Sequence, residues 1–174
     1  MNDIIQAMVN RRSIRNFKAD MPKKEDLEQI IEAGLYAANG RGQQAPVIVA
    51  VTDKSVVDKL SKVNCEIGGW DEGFNPFYGA PVDLIVLVPK DIRTGIYDGS
   101  LVMGNMMLAA HSLGLGSIWV HRAKETFEMD EWKQFLKDLG LEGEYEGIAN
   151  CVVGYASGDT PNAAPRKENR VFWA

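Results

Sequence analysis

Apolar positions along this chain fall into two rhythms. Ile4, Ile5, Met8 and Val9 share one helical face, which predicts a short amphipathic helix over 3–10. Pro22 opens a second helix, in which Leu27, Ile30, Ile31, Leu35 and Ala38 repeat at helical spacing. Asp53 can cap a third, carrying Val56, Val57 and Leu60. Tyr97 to Leu113 is the longest helix candidate and is apolar nearly all round, so it must be covered on both sides, by its own core or by a second subunit. Gly114 stands where a left-handed cap would end it. Trp132, Phe135, Leu136 and Leu139 mark a further helix, closed by Gly140. Between these lie continuous apolar runs that predict buried strands: 47–51, 82–88, 117–121 and 148–155. One sheet between helical layers, in an α+β or α/β domain, accounts for this order.

Residues 64–79 fit neither rhythm. Gly68, Gly69, Gly73 and Gly79 alternate there with Trp70, Phe74, Phe77 and Tyr78. A glycine-aromatic loop is a lid, a wall for a flat ligand, or a set of rings that plug the core. The stretch 157–174 is rich in proline, arginine and aromatic residues, and is expected to pack or to reach a partner.

Composition narrows the class. At 174 residues, 45% hydrophobic and 25% charged, the chain is expected to be one globular domain. The start of the chain carries Asp3 and no basic segment, unlike a secretory signal, and no apolar run is long enough to span a membrane. Cys65 and Cys151 match no metal or redox spacing; they are expected as reduced thiols, which points to the cytoplasm.

Charge then singles out one stretch. The net charge is −5, yet Arg11-Arg12-Ser13-Ile14-Arg15 places three guanidiniums and a hydroxyl within five residues. A guanidinium matches two phosphate oxygens and never loses its charge. A basic knot in an acidic chain suits one small anion; a nucleic-acid surface would need a broad basic face. The alternative is a solvated helix end, where cations are favoured by the helix dipole.

Familiar catalytic motifs are missing. There is no Walker-type phosphate loop and no nucleophile elbow. Gly114-Leu115-Gly116-Ser117 ends a helix instead of opening one, so it is not a dinucleotide fingerprint. The two histidines, His111 and His121, form no metal-ligand pattern, and His111 on the apolar helix reads as a core residue. An anion clamp, aromatics and glycine loops without an acid–base pair suit a protein whose bound cofactor carries the chemistry.

Several segments in order resemble the nitroreductase family of FMN flavoproteins: Arg11-Arg12-Ser13-Ile14-Arg15-Asn16-Phe17 after a first helix, the loop 39–46, Tyr78-Gly79-Ala80-Pro81 before a strand, Asn105 to Trp119, and Val153-Gly154-Tyr155 followed by Pro165-Arg166-Lys167. The loop departs from the family's usual Ser pair, with Asn39-Gly40-Arg41-Gly42, and Ala45-Pro46 follows Gln44. Some homologues carry an acidic residue where His121 stands.

The resemblance implies an α+β fold with a central, mostly antiparallel sheet flanked by helices, in an intertwined homodimer. It implies FMN as cofactor and NADH or NADPH as hydride donor to a small-molecule acceptor: nitroaromatics, quinones or related electrophiles. It gives no reason to expect a metal, nucleic acid or membrane partner. Carried residue by residue, it assigns Arg11, Arg12, Ser13, Arg166 and Lys167 to the FMN phosphate and ribityl, and Arg15 to the pyrimidine edge. Gln44 would meet the cofactor from the partner subunit, and Trp119, Val120, His121 and Arg122 would pass along the flavin. Arg41, Phe77 and Tyr78 fall on the substrate side, and no side chain is assigned as catalytic. The same scaffold could host reductive dehalogenation or flavin cleavage, or serve as a non-catalytic redox sensor.

Overall fold

The computed structural model describes residues 1–174. Its elements in order are α1 (Asp3–Asn10), α2 (Lys24–Leu35), a 3-10 turn (Gly40–Gly42), β1 (Val47–Val51), α3 (Lys54–Gly68), β2 (Val82–Pro89), α4 (Gly95–Ser112), β3 (Gly116–Val120), α5 (Ala123–Glu128), α6 (Asp130–Asp138) and β4 (Tyr145–Gly154). The four strands form one sheet in the order β1-β2-β4-β3, and every pairing is antiparallel. This is the expected α+β arrangement. No helix is long and apolar enough to cross a membrane.

Side-chain alternation along the strands divides the core in two. Val82, Leu84, Val86 and Val88 face one layer, with Leu27 and Ile30 of α2 and Val102, Met103, Met106 and Ala110 of α4. Ile85 and Leu87 face the other, with Val57 and Leu60 of α3, Phe127 of α5, and Trp132 and Leu136 of α6. The central strand β2 is therefore buried on both faces, which is why its apolar run is unbroken except at Asp83.

Local signals explain most boundaries. The Asn2 side chain accepts from the Ile5 N–H at 3.0 Å and caps α1. Asp53 caps α3 by accepting from the Ser55 N–H at 2.8 Å. The predicted loop 64–79 is shorter than expected: α3 continues to Gly68, and Gly69 closes it at φ 65°. The apolar positions Val63 and Ile67 prolong that helical face. β4 begins at Tyr145 and ends at Gly154, a shift of a few residues from the predicted 148–155. The six-residue α5 is too short to leave a periodic signature.

Two apolar surfaces have no partner within the chain. In α1, Ile4, Ile5, Met8 and Val9 all remain substantially exposed, and the helix contributes no buried residue. In α4, Ile96, Tyr97 and Leu101 point outward while Met103 and Met106 are fully enclosed. The last residues form no regular element, and Phe172 and Trp173 are 84% and 94% exposed. Packing of the tail against its own chain, one of the two expectations for it, does not occur at these rings.

Candidate functional site

Ile14 and Phe17 anchor the arginine-rich segment across one end of the sheet. Both are buried at 7% exposure in the α3-side core. The Ile14 N–H donates to the Ser117 carbonyl at 3.1 Å, and the Phe17 N–H to the Tyr78 carbonyl at 3.3 Å. Lys18 N–H donates to Tyr155 O and Ser157 N–H to Asn16 O, each at 2.9 Å. Gly116 makes this approach possible: a Cβ there would lie 2.9 Å from Ile14 Cγ1. With the apolar members of the segment turned inward, Arg11, Arg12, Ser13 and Arg15 line a cavity of about 980 Å³.

The other wall comes from the far end of the chain. Pro161 to Arg166 face the arginine segment across that cavity, so four arginines share it: Arg11, Arg12, Arg15 and Arg166. No carboxylate lines it. Arg12 Nη1 donates to Val9 O at 2.6 Å and Arg11 O at 2.7 Å, and Arg166 Nη2 to Ala164 O at 2.6 Å. Those bonds hold the side chains in place. Arg11 Nη1 and Arg12 Nε are buried with no acceptor. Buried N–H donors of a cation are costly when unmatched, so this cradle is built for an anion. A phosphate monoester supplies the acceptors and the counter-charge together, and the phosphate of FMN fits on both counts.

Strand β3 leads away from that cradle. It is an edge strand, and its Ser117 carbonyl faces the open edge, where it meets Ile14. By the two-residue alternation of a strand, the backbone groups of Trp119 face the same edge. His121 lies four residues beyond Ser117, about 13 Å along the strand direction. Arg122 follows with φ 84°, a left-handed turn that redirects the chain into α5. At this far end the Trp119 Nε1–H donates to His121 Nδ1 at 3.5 Å. Arg122 Nη1 donates to Glu125 Oε1 at 2.8 Å. Partial burial works against the charge on Glu125, but the hydrogen bonds from the backbone and from Arg122 outweigh it and hold the carboxyl below the ordinary range.

Other sequence-predicted residues are placed apart. Lys167 is exposed and does not line the arginine cavity. Gln44 is exposed in a left-handed conformation at φ 49°, its N–H held by the Asn39 side chain at 2.8 Å. Arg41 (φ 59°) lines a separate cavity of about 320 Å³ with Asp91 and Arg93. Val120 is buried, and its carbonyl faces β4 and accepts from Asn150 Nδ2 at 3.5 Å. Phe77 is 1% exposed and plugs the α3-side core, which corrects its placement on the substrate side; its neighbour Tyr78 remains half-buried with φ 54°. His111 is also corrected: it is half-buried and lines a small cavity with Arg12, Ser117 and Thr160 instead of sitting in the core. Asn162 to Ala164 were not singled out in the sequence, because their place in the wall depends on the tertiary path of the tail, and the local pairs Trp119–His121 and Arg122–Glu125 depend on how the chain turns at the end of β3.

An arginine-lined cavity formed by residues 8–15 and 161–166, beside an antiparallel sheet, gives an α+β protein with a cradle suited to a phosphate group. Residues 8–67 and 72–155 match the family model described as Nitroreductase family, and the chain belongs to that family. The FMN reductase [NAD(P)H] of Bacillus subtilis is 29% identical over 136 residues, a match covering 68% of this chain and 53% of that protein. A relative from Methanothermobacter thermautotrophicus is 26% identical over 126 residues, covering 67% of this chain and 60% of that one. The chain thus spans little more than half the length of these relatives. A nitroreductase of Desulfitobacterium hafniense DCB-2, solved with bound FMN, superposes with a TM-score of 0.88 at 26% identity, covering 100% and 99% of the two chains. The FMN-bound nitroreductase of Bacteroides fragilis shares the fold at a TM-score of 0.91 and 24% identity, over 100% of both chains.

Proposed function

We propose that this chain is an FMN-dependent NAD(P)H oxidoreductase acting as a cytoplasmic homodimer. The observation that carries the proposal is the four-arginine cavity with two buried, acceptor-free N–H groups and no carboxylate in its wall. Arg11, Arg12, Ser13 and Arg166 hold the phosphate. Arg15, on the same wall, supplies positive charge toward the ring. The open edge of β3 at Trp119 and His121 borders the ring system. The chemistry that bound FMN supplies is two-electron carriage, with a hydride taken from NADH or NADPH and then given to a nitroaromatic, quinone or related electrophile. The chain's part is to bind, to exclude water and to stabilise negative charge. This division explains why the sequence lacks an acid–base pair.

The second subunit is inferred from the uncovered apolar faces of α1 and α4 and from the exposed tail rings Phe172 and Trp173. A two-fold partner that covers these faces brings its own Gln44, Arg41 and tail toward this chain's cofactor. Buried, unpaired Cys65 and Cys151 agree with a reducing compartment.

The test is the colour and behaviour of the purified protein. Bound flavin should bleach under anaerobic NADH or NADPH and recover with a quinone. Arg11→Ala and Arg166→Ala should each weaken FMN binding about tenfold to a hundredfold, the scale of one charged hydrogen bond. Wild-type affinity in both variants would refute the phosphate assignment.

A further inference from the structure

The far end of β3 carries chemistry that phosphate binding does not use. His121 is exposed, and its Nδ1 accepts from the Trp119 indole N–H at 3.5 Å. An indole nitrogen only donates. Its partner must present a lone pair, so the bond turns Nδ1 toward the indole and leaves the Nε2–H as the outward donor of the ring. A doubly protonated ring would set one N–H against another. No acceptor in the chain takes the Nε2 hydrogen. Nearby, Arg122 Nη1 donates to Glu125 Oε1 at 2.8 Å, and the Glu125 Oε2 makes no hydrogen bond within the chain. The result is an oriented N–H donor, exposed just beyond the end of β3 and about 13 Å from the phosphate end of that strand.

We infer that His121 is the hydrogen-bond donor for the oxygen of the electron acceptor, a nitro or quinone oxygen, and that Trp119 positions it by fixing the tautomer; this inference rests on the oxidoreductase function proposed above. Reduction of a quinone to a hydroquinone takes one hydride and one proton. The hydride brings two electrons, originally from NAD(P)H, and leaves negative charge on the quinone oxygen. Water supplies the proton. His121 keeps its Nε2 hydrogen and acts only by meeting the developing charge. Oxygen-centred acceptors therefore gain a contact that acceptors without such an oxygen do not.

Three variants of the flavin-loaded protein test this: His121→Phe, His121→Gln and Trp119→Phe. The two half-reactions are followed separately by stopped-flow absorbance, with NADPH as reductant and a benzoquinone as oxidant. His121→Phe should slow oxidation by the quinone at least about tenfold more than it slows reduction by NADPH. His121→Gln, which keeps an N–H donor, should recover part of that loss. The second readout needs no turnover. Nitrogen NMR of the wild-type protein should show the Nε2–H tautomer, and Trp119→Phe should convert it to a mixture. Equal effects of His121→Phe on both half-reactions, or an Nδ1–H ring in the wild type, would overturn the assignment while leaving the flavin function intact. A protein that takes up no FMN refutes the oxidoreductase proposal itself, and this assignment with it.

Discussion

The two faces of the central sheet are built from the same strands but by different means. Against the sheet, the face toward α2 and α4 is apolar: Leu84, Val86, Met103, Met106, Ala149 and Val153 are all fully enclosed. The face toward α3, α5 and α6 carries polar groups at equal depth. Asn64, Thr126, Asn150 and Asp83 are all at 0% exposure there. Asn150 Nδ2 donates to Asn64 Oδ1 at 3.1 Å, and Asn64 Nδ2 to Leu60 O at 3.0 Å, tying β4 to α3. Asp83 has no partner, and burial pushes its carboxyl well above the usual range. Shape holds the first face against the sheet, with the Asn105 Nδ2 to Ala33 O bond at 2.9 Å joining α4 to α2 behind it, so that face is sensitive to lost volume. The second adds directional bonds that fix how α3 and α5 meet the sheet, and it is sensitive to lost partners.

The largest expected effect is on the apolar face. Met106→Ala should destabilise the protein by about 2–5 kcal/mol, because its packing against Gly34 and the sheet leaves a cavity that a close-packed core refills poorly. Urea or thermal unfolding measures it, and a loss below about 1 kcal/mol would break the contrast. Next is Asn150→Ala on the polar face, which strands Asn64 Oδ1 and should cost about 1–3 kcal/mol. Asn150→Ala and Asn64→Ala together should cost less than the sum of the single variants, as a shared bond requires. The smallest effect is a slope. Burial keeps the folded Asp83 carboxyl protonated to higher pH than the unfolded chain, which releases that proton above about pH 4. A raised folded value means that the group's stabilising contribution is complete below the unfolded value and is lost as pH rises. Asp83→Asn should remove this loss, flattening the decline by up to about 1.4 kcal/mol per pH unit. Parallel stability profiles for the two proteins would show that Asp83 is ionised in the native state.

The apolar face was also the more legible one in the sequence. Its strand runs were readable because burial on both sides leaves a continuous signal, and α4 was readable from its long apolar run, although Ile96, Tyr97 and Leu101 stay exposed. Asp83 interrupts one of those runs without announcing whether it is paired. The RRSIR segment was legible by composition as an anion site or a solvated helix end, whereas Asn162 to Ala164 carried no such mark, since small residues take a place in a wall only when the tail folds back. Phe77 shows the same limit from the other side. Its ring looks identical in sequence to those of Phe74 and Trp70, and only the path of the chain after Asn75 sends it inward while the other two stay partly exposed. The Trp119–His121 bond needed the extended backbone of β3 to bring alternate side chains alongside one another.

The arginine cavity has a practical corollary. One of its walls is a strap of irregular backbone at residues 161–166, joined to the sheet only through the short stretch after Gly154. A protease that clips within 157–160 would detach that strap while sparing every strand and helix. Such a nicked molecule should melt cooperatively near the intact temperature yet come off a column pale, and saturating riboflavin phosphate beforehand should shield the scissile stretch.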